Sequence, residues 1–179
     1  RSKSHTAMKY IFLLCLALPF ISSAQTAPKD SLVKDCKLIR ETDPYTKEKK
    51  ISTGFIPLEG GQVNIDVSKA EVDILFSVRG ADKCFSDASN AYIHFAGSKL
   101  KQTQRNNGSM NCEGLFHFIF RNTATPALLL RKLATMKVEK IVFTGNDKKE
   151  TVVTLTEDQQ QLLMDLAGCV NREAATLLQ

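Results

Sequence analysis

The chain predicts an α+β domain: a mainly antiparallel sheet with two helices on one face, held as a single disulfide-stapled unit. Three observations predict it. Apolar residues alternate with polar ones through residues 62–78 and again through 91–95, the period of half-buried strands. Two later segments carry apolar residues at helical spacing. Cysteines Cys36, Cys84, Cys112 and Cys169 are even in number and lack CxxC spacing, which reads as two disulfides rather than a redox or zinc motif.

The elements follow in order. Lys37 to Thr42 is expected to pair with Lys50 to Pro57 across a turn built on Asp43-Pro44. Val63, Ile65 and Val67 alternate with Gln62, Asn64 and Asp66. Val72, Ile74, Phe76 and Val78 repeat the pattern, so Ser68-Lys69 makes a tight reversal between two strands. Ala81 to Asn90 reads as a polar loop carrying Cys84. Ala91, Ile93 and Phe95 alternate with Tyr92 and His94, and Gly97-Ser98 turns the chain into Lys99 to Arg105. Asn106-Asn107-Gly108 is a turn signal. Beyond it Phe116, Phe118 and Phe120 share one strand face while Leu115, His117 and Ile119 share the other, which predicts a central strand.

The first helix is expected to start at Thr125 as N-cap with Pro126 at the first helical position, its stripe being Leu129, Leu130, Leu133 and Met136. The second starts at Thr156, where Thr156-Glu157-Asp158-Gln159 fits a capping box, and carries Leu162, Leu163, Leu166 and Val170. Between them Val138 to Thr144 and Thr151 to Leu155 read as strands joined at Asn146-Asp147.

The amino-terminal part reads as a leader. Met8 and Lys9 open a short basic stretch, an apolar run extends from Ile11 to Ile21, and Ser22-Ser23-Ala24 supplies a small-x-small cleavage site before Gln25. The run falls short of the ~20 apolar residues a membrane span needs. Residues 1–7 are then an upstream extension or added sequence, 8–24 a signal peptide, 25–35 a flexible lead-in and 36–179 the single domain. Cys15 lies in the middle of the apolar run, after Leu14, rather than at its end behind a small residue, so plain cleavage is favoured over lipidation. Cleavage removes Arg1, Lys3 and Lys9 and no acid, leaving 21 basic residues against 19 acidic ones. A net charge of only +2 argues against nucleic acid as a partner. Lys47, Lys49 and Lys50 cluster, but Glu48 interrupts them, which reads as a solvated turn.

Of the three cysteine connectivities, Cys84–Cys112 with Cys36–Cys169 is favoured. The loops entering the strands at Ala91 and Leu115 would leave a three-stranded meander at one end, bringing Cys84 to Cys112; Cys36–Cys169 follows by elimination. Chain entropy gives about 3.6 kcal/mol for the shorter loop and about 5 kcal/mol for the longer.

No catalytic set assembles. His94 and His117 on neighbouring strands would begin a metal site, but a third ligand and an HExxH spacing are both missing. Cys112 and His117 are an odd number of residues apart and would point to opposite strand faces. There is no GxSxG elbow, and Gly60-Gly61 and Gly145 read as turns rather than a phosphate loop. Asp66 and Asp73 are candidate paired carboxylates, though each lies on the polar side of its strand, where a solvated face is the simpler reading. Asn107-Gly108-Ser109 matches an N-glycosylation acceptor, and Asp30-Ser31-Leu32 an O-glycosylation acceptor of exported proteins.

Ala91 to Phe95 with its Gly97 turn, Asn111-Cys112-Glu113-Gly114 before a strand, Val138 to Ile141 after a helix, and the helical Cys169 form a recognisable set. With Asp43-Pro44-Tyr45-Thr46 and a leader ending Ser-Ala-Gln, the chain resembles small exported proteins of unknown function from Bacteroidota. The resemblance implies an envelope compartment, periplasmic or secreted, and no mechanism. The functional expectation is an exported non-catalytic module that needs no cofactor and binds an envelope or extracellular partner. The alternatives are a structural envelope component or a hydrolase-type enzyme without a recognisable motif.

Overall fold

A computed structural model describes residues 36–80 and 84–179; the expected extension, signal peptide, Cys15, lead-in and Asp30-Ser31-Leu32 acceptor lie outside the described residues. The strands form two antiparallel sheets rather than one. The larger has the order β1-β2-β4-β5-β8, with β3 also pairing β4; the smaller has the order β10-β9-β6-β7.

β1 (Ile39–Thr42) and β2 (Lys49–Ser52) form the expected hairpin, in register from Thr42 opposite Lys49 to Ile39 opposite Ser52. Asp43 builds the turn: its carboxylate accepts from the backbone N–H groups of Tyr45 (2.8 Å) and Thr46 (2.7 Å). These two bonds, that from Thr46 first, hold the Asp43 carboxyl below its ordinary pKa. A carboxylate whose pKa is lowered by folding stabilises above its unfolded pKa and loses that contribution as pH falls through the folded value. Amide exchange of β1 and β2, corrected for its intrinsic pH dependence, is therefore expected to lose protection below about pH 4, and Asp43→Ala should abolish that pH-dependent step. The expected single strand from Lys50 to Pro57 is instead two, because Gly54 at φ +66° breaks the run before β3 (Ile56–Leu58).

β4 (Gly61–Val67), β5 (Glu71–Val78) and β8 (Leu115–Arg121) place their apolar residues in rows across the sheet. Val63, Phe76 and Phe116 form one row, and Ile65, Ile74 and Phe118 the next, all buried. Gly61 admits no side chain, since a Cβ there would run into the Ser77 carbonyl.

β8 is a terminal strand, not the central one expected. Its outer-face residues Leu115, His117 and Ile119 are only partly buried, and the segment after β7 lies along its free edge. The backbone N–H groups of Leu115, His117 and Ile119 donate to the side-chain oxygens of Asn111, Asn106 and Asn107 at 3.0, 2.8 and 3.0 Å. Three asparagines stand in for the missing strand and block edge-to-edge pairing. The Asn106-Asn107-Gly108 signal thus marks a crossover between sheets rather than a hairpin. Asn106 is buried, accepts from Gly108 as well, and donates to the Ser86 carbonyl at 3.0 Å. Asn106→Ala is expected to cost about 2–3 kcal/mol by leaving buried backbone groups unpaired. Urea denaturation measures it, and a loss below 0.5 kcal/mol, taken here as about the limit for an ordinary surface change, would contradict this role.

β6 (Asn90–Phe95) pairs with β7 (Lys101–Arg105) on one side and β9 (Val138–Thr144) on the other. β10 (Glu150–Thr154) completes the hairpin with β9. The sheets meet through phenylalanines: Phe143 of β9 lies 5.1 Å from Phe116 and 5.4 Å from Phe76, between ring centroids. Phe85, in the segment expected to be a polar loop, is fully buried against Phe116 at 5.1 Å.

α1 (Leu128–Leu133) begins later than expected; Ala127 is its N-cap, with no side-chain cap. Leu129, Leu130 and Leu133 are buried and Met136 packs beside them. α2 (Glu157–Ala174) carries the expected capping box, Thr156 and Gln159 bonding each other's backbone. Its buried stripe is Leu163, Ala167 and Val170, while Leu162 is exposed, so the apolar face is rotated from the one expected. α2 packs against β2 and β4 of one sheet, β9 of the other, and α1. Asn171 donates to the Leu130 carbonyl at 2.9 Å, and buried Asn122 donates to the carbonyls of Ser68 and Ala174, fixing α2 at both neighbours.

Both disulfides are formed, Cys36–Cys169 and Cys84–Cys112. The three-stranded meander expected to bring Cys84 to Cys112 is absent, since β6 and β8 belong to different sheets. Cys84 instead meets Cys112 because Phe85 and Asn111, the adjacent residues, form an isolated antiparallel bridge. No helix among the described residues is long and apolar enough to cross a membrane.

Candidate functional site

Alternation that buries one face of the six-stranded sheet leaves the other to the intervening polar residues. Across β2, β4 and β5, Ser52 is paired with Asp66 and Asp66 with Asp73; one step along, Asn64 is paired with Leu75 and Leu75 with His117. Register therefore places the two carboxylates directly opposite each other on adjacent strands.

Two separate hydrogen-bonded groups lie on this face, one around Asn64 and Asp66 and one between Asp73 and His117. Ser52 and Thr53 donate to the Asn64 side-chain oxygen at 3.0 and 3.2 Å, and the Asn64 amide donates to Asp66 at 2.8 Å. Asn64 is buried although it lies on this outer face. Asp73 is diagonal to His117, whose Nδ1 lies 2.9 Å from the carboxylate. Both side chains are about three-quarters covered, at 24% and 25% exposure. Asp73 is therefore held in a contact rather than merely solvated, whereas Asp66 is exposed as expected. Gly108 closes over the imidazole: a Cβ there would lie 2.8 Å from Cδ2 of His117.

Beside these groups lies an open recess of about 540 Å³ lined by Glu48, Lys50, Asp66, Ser68, Glu71 and Asp73. Four carboxylates against one ammonium give it a negative field. The expected lysine cluster is divided here: Lys50 faces this recess, with Glu48 beside it.

The two histidines do not meet. His94 is on the second sheet, paired with Lys101 and Lys140, so the juxtaposition that would have begun a metal site does not occur. No group of three metal-ligating side chains is found among the described residues. Cys112 precedes β8 and is bonded to Cys84, so the Cys112–His117 relation on one strand does not arise. Gly60 lies in the β3–β4 turn with φ +92°, and Gly145 in the β9–β10 turn, where its N–H bonds the Lys149 carbonyl. Asn107 of the acceptor triplet has its side-chain oxygen committed to Ile119.

The Asp73–His117 contact is the constellation that sequence reading missed, since the residues lie 44 apart on strands made neighbours by a long-range pairing. A carboxylate orienting an imidazole is two-thirds of a nucleophilic triad. Among the described residues the hydrogen bonds of this imidazole run only to Asp73, with no serine, threonine or cysteine attached to it. No family model, curated protein or solved structure matches the chain.

Proposed function

We propose that the chain is an exported, non-catalytic module, periplasmic or secreted, that binds a partner in the envelope or outside the cell. One observation carries this reading. The second sheet and α2 both pack into the same apolar core as the inner face of the six-stranded sheet, and both sheets keep an outer face rich in polar and charged residues. Such a frame leaves side chains on the outer strands free to recognise a surface. The two disulfides fit an oxidising compartment.

Large apolar residues that are exposed, such as Tyr45, Leu100, Met110 and Val152, are spread over separate turns and strands. Recognition through polar and charged groups is therefore favoured over an apolar patch.

A second reading, a hydrolase-type enzyme, is favoured by the Asp73–His117 contact alone. The test is capture of partners from envelope extract by the disulfide-bonded chain, beside its His117→Ala variant. A defined partner retained by both proteins is expected, with His117→Ala costing about 1 kcal/mol of stability. Turnover of an ester, amide or glycoside substrate that disappears in a folded His117→Ala protein would establish the enzyme reading instead.

A further inference from the structure

We propose that the chain pairs with a second copy of itself along the free edge of β10, joining two four-stranded sheets across a two-fold axis at Val152. This goes beyond the binding-module reading and does not depend on it. Among the described residues, every other strand edge is occupied or blunted. The β8 edge carries its three asparagines. β3 presents Pro57, which has no N–H, and the Pro57 carbonyl accepts from the Gln159 side chain at 3.4 Å. β1 has Arg40 and Glu41 at its centre, with Arg40 paired to Glu173. β7 has Lys101 and Arg105 at its two ends. β10 pairs only with β9, and its other edge is open. Its residues Thr151-Val152-Val153-Thr154 are all β-branched, and Glu150 is its one charge, so it lacks the devices that protect the other edges.

Register settles which backbone groups that edge offers. The Gly145 N–H donates to the Lys149 carbonyl, and the Leu155 N–H donates to the Glu139 carbonyl, one at each end of the β9–β10 ladder. Bonded and non-bonded pairs alternate in an antiparallel ladder. Thr151 and Val153 therefore bond to β9, and the N–H and C=O groups of Glu150, Val152 and Thr154 face the open edge. An antiparallel second copy centred on Val152 sets Val152 against its own equivalent and Glu150 against Thr154. Each facing pair exchanges two hydrogen bonds, and no like charges meet.

The side chains agree with this register. Val152 is 54% exposed and ends a row that continues through half-buried Val142 and Tyr92. Pairing covers Val152 and makes the row continuous, Tyr92, Val142 and Val152 of one copy running on into Val152, Val142 and Tyr92 of the other. In the next row, Lys101, His94, Lys140 and Thr154 include no carboxylate, and Glu139 stands in the bulge beside them. Glu150 of the second copy extends that row, across Thr154 from Lys140. A strand from another protein would use the same backbone groups. Self-pairing is favoured because this sequence is its own complement, valine meeting valine and the one carboxylate meeting a hydroxyl. An edge of five residues buries little area, so the association is reversible and depends on concentration.

Light scattering on the disulfide-bonded chain, over a range of concentrations, measures its mass in solution. A rise toward twice the single-chain mass with concentration is expected. Val152→Lys sets two ammonium groups on the axis and should leave a single-chain mass throughout, while Thr103→Lys on the β7 edge should associate as the unmodified chain does. Val152→Cys reads the register itself. Directly facing bonded residues have Cα atoms about 5.5 Å apart, within the range a disulfide spans. Mild air oxidation should therefore link two chains through position 152, as peptide mapping shows, and should not link Thr103→Cys. Circular dichroism and thermal melts show that each variant is folded. A single-chain mass at every concentration, association that survives Val152→Lys, or linkage of Thr103→Cys as fast as that of Val152→Cys would each overturn the proposal. So would an envelope protein captured by the unmodified chain and lost with Val152→Lys while the chain itself stays single, since the edge would then serve a foreign strand.

Discussion

Phe143→Ala is expected to lower the stability of the domain by about 3–5 kcal/mol, the range for removing a large aromatic from a packed core. Phe143 is fully buried, and its ring lies within about 6.1 Å of three others: Phe76, Phe85 and Phe116. Phe76 and Phe116 belong to the six-stranded sheet and Phe143 to the four-stranded one, so this side chain joins the two sheets. Truncation removes tilted and edge-on ring contacts from both sides at once. The cavity would lie between sheets whose backbones are fixed by their own ladders and by the Cys84–Cys112 link, so collapse is restricted. Urea denaturation of the purified domain measures the loss. Phe143→Leu, which keeps much of the volume, should cost markedly less, and similar losses for both would mean that ring contacts rather than cavity volume set the energy.

Much of the fold was legible because alternation is a local signal. Val63 to Val67, Val72 to Val78 and Ala91 to Phe95 announce both a strand and its buried face, and the structure keeps each. Thr156 and Gln159 announce a helix start for the same reason, as both partners of the capping box lie within one turn. What alternation lacks is the identity of the neighbour. β8 follows β7 in sequence, yet it pairs with β5 across an intervening sheet, and nothing local distinguishes these outcomes. Asn106-Asn107-Gly108 has the composition of a hairpin turn, and its side chains are used instead along a strand edge. Apolar residues on both faces of β8 suggest a central strand, yet Leu115 and Ile119 are only partly buried on a terminal strand whose edge is capped by asparagines. The site failed for the same reason as the topology. Asp73 was legible as an outward carboxylate, but His117 reaches it only once β5 and β8 are neighbours.

Removing either disulfide by paired Cys→Ser substitution is expected to destabilise the domain, and the two losses should differ. The chain-entropy relation gives about 5 kcal/mol for Cys36–Cys169 and about 3.6 kcal/mol for Cys84–Cys112, whose sequence separations are 133 and 28. The longer link has a structural consequence of its own. β1 is exposed at all four residues and pairs only with β2, at the end of its sheet. Cys36, just before it, is tied to buried Cys169 on α2, with the Arg172 guanidinium 3.1 and 3.4 Å from the two sulfurs. Cys36→Ser/Cys169→Ser should therefore raise amide exchange in β1 above that of β4 and β5, beside the fall in global stability. The shorter link holds Phe85 against the phenylalanine cluster, because Phe85 and Asn111 bridge next to it. Cys84→Ser/Cys112→Ser should leave β1 protected and lower stability without a local precursor. Denaturant titration and hydrogen exchange on both double variants separate these outcomes. A greater loss for Cys84→Ser/Cys112→Ser than for Cys36→Ser/Cys169→Ser would show that anchoring Phe85 outweighs loop length in this domain.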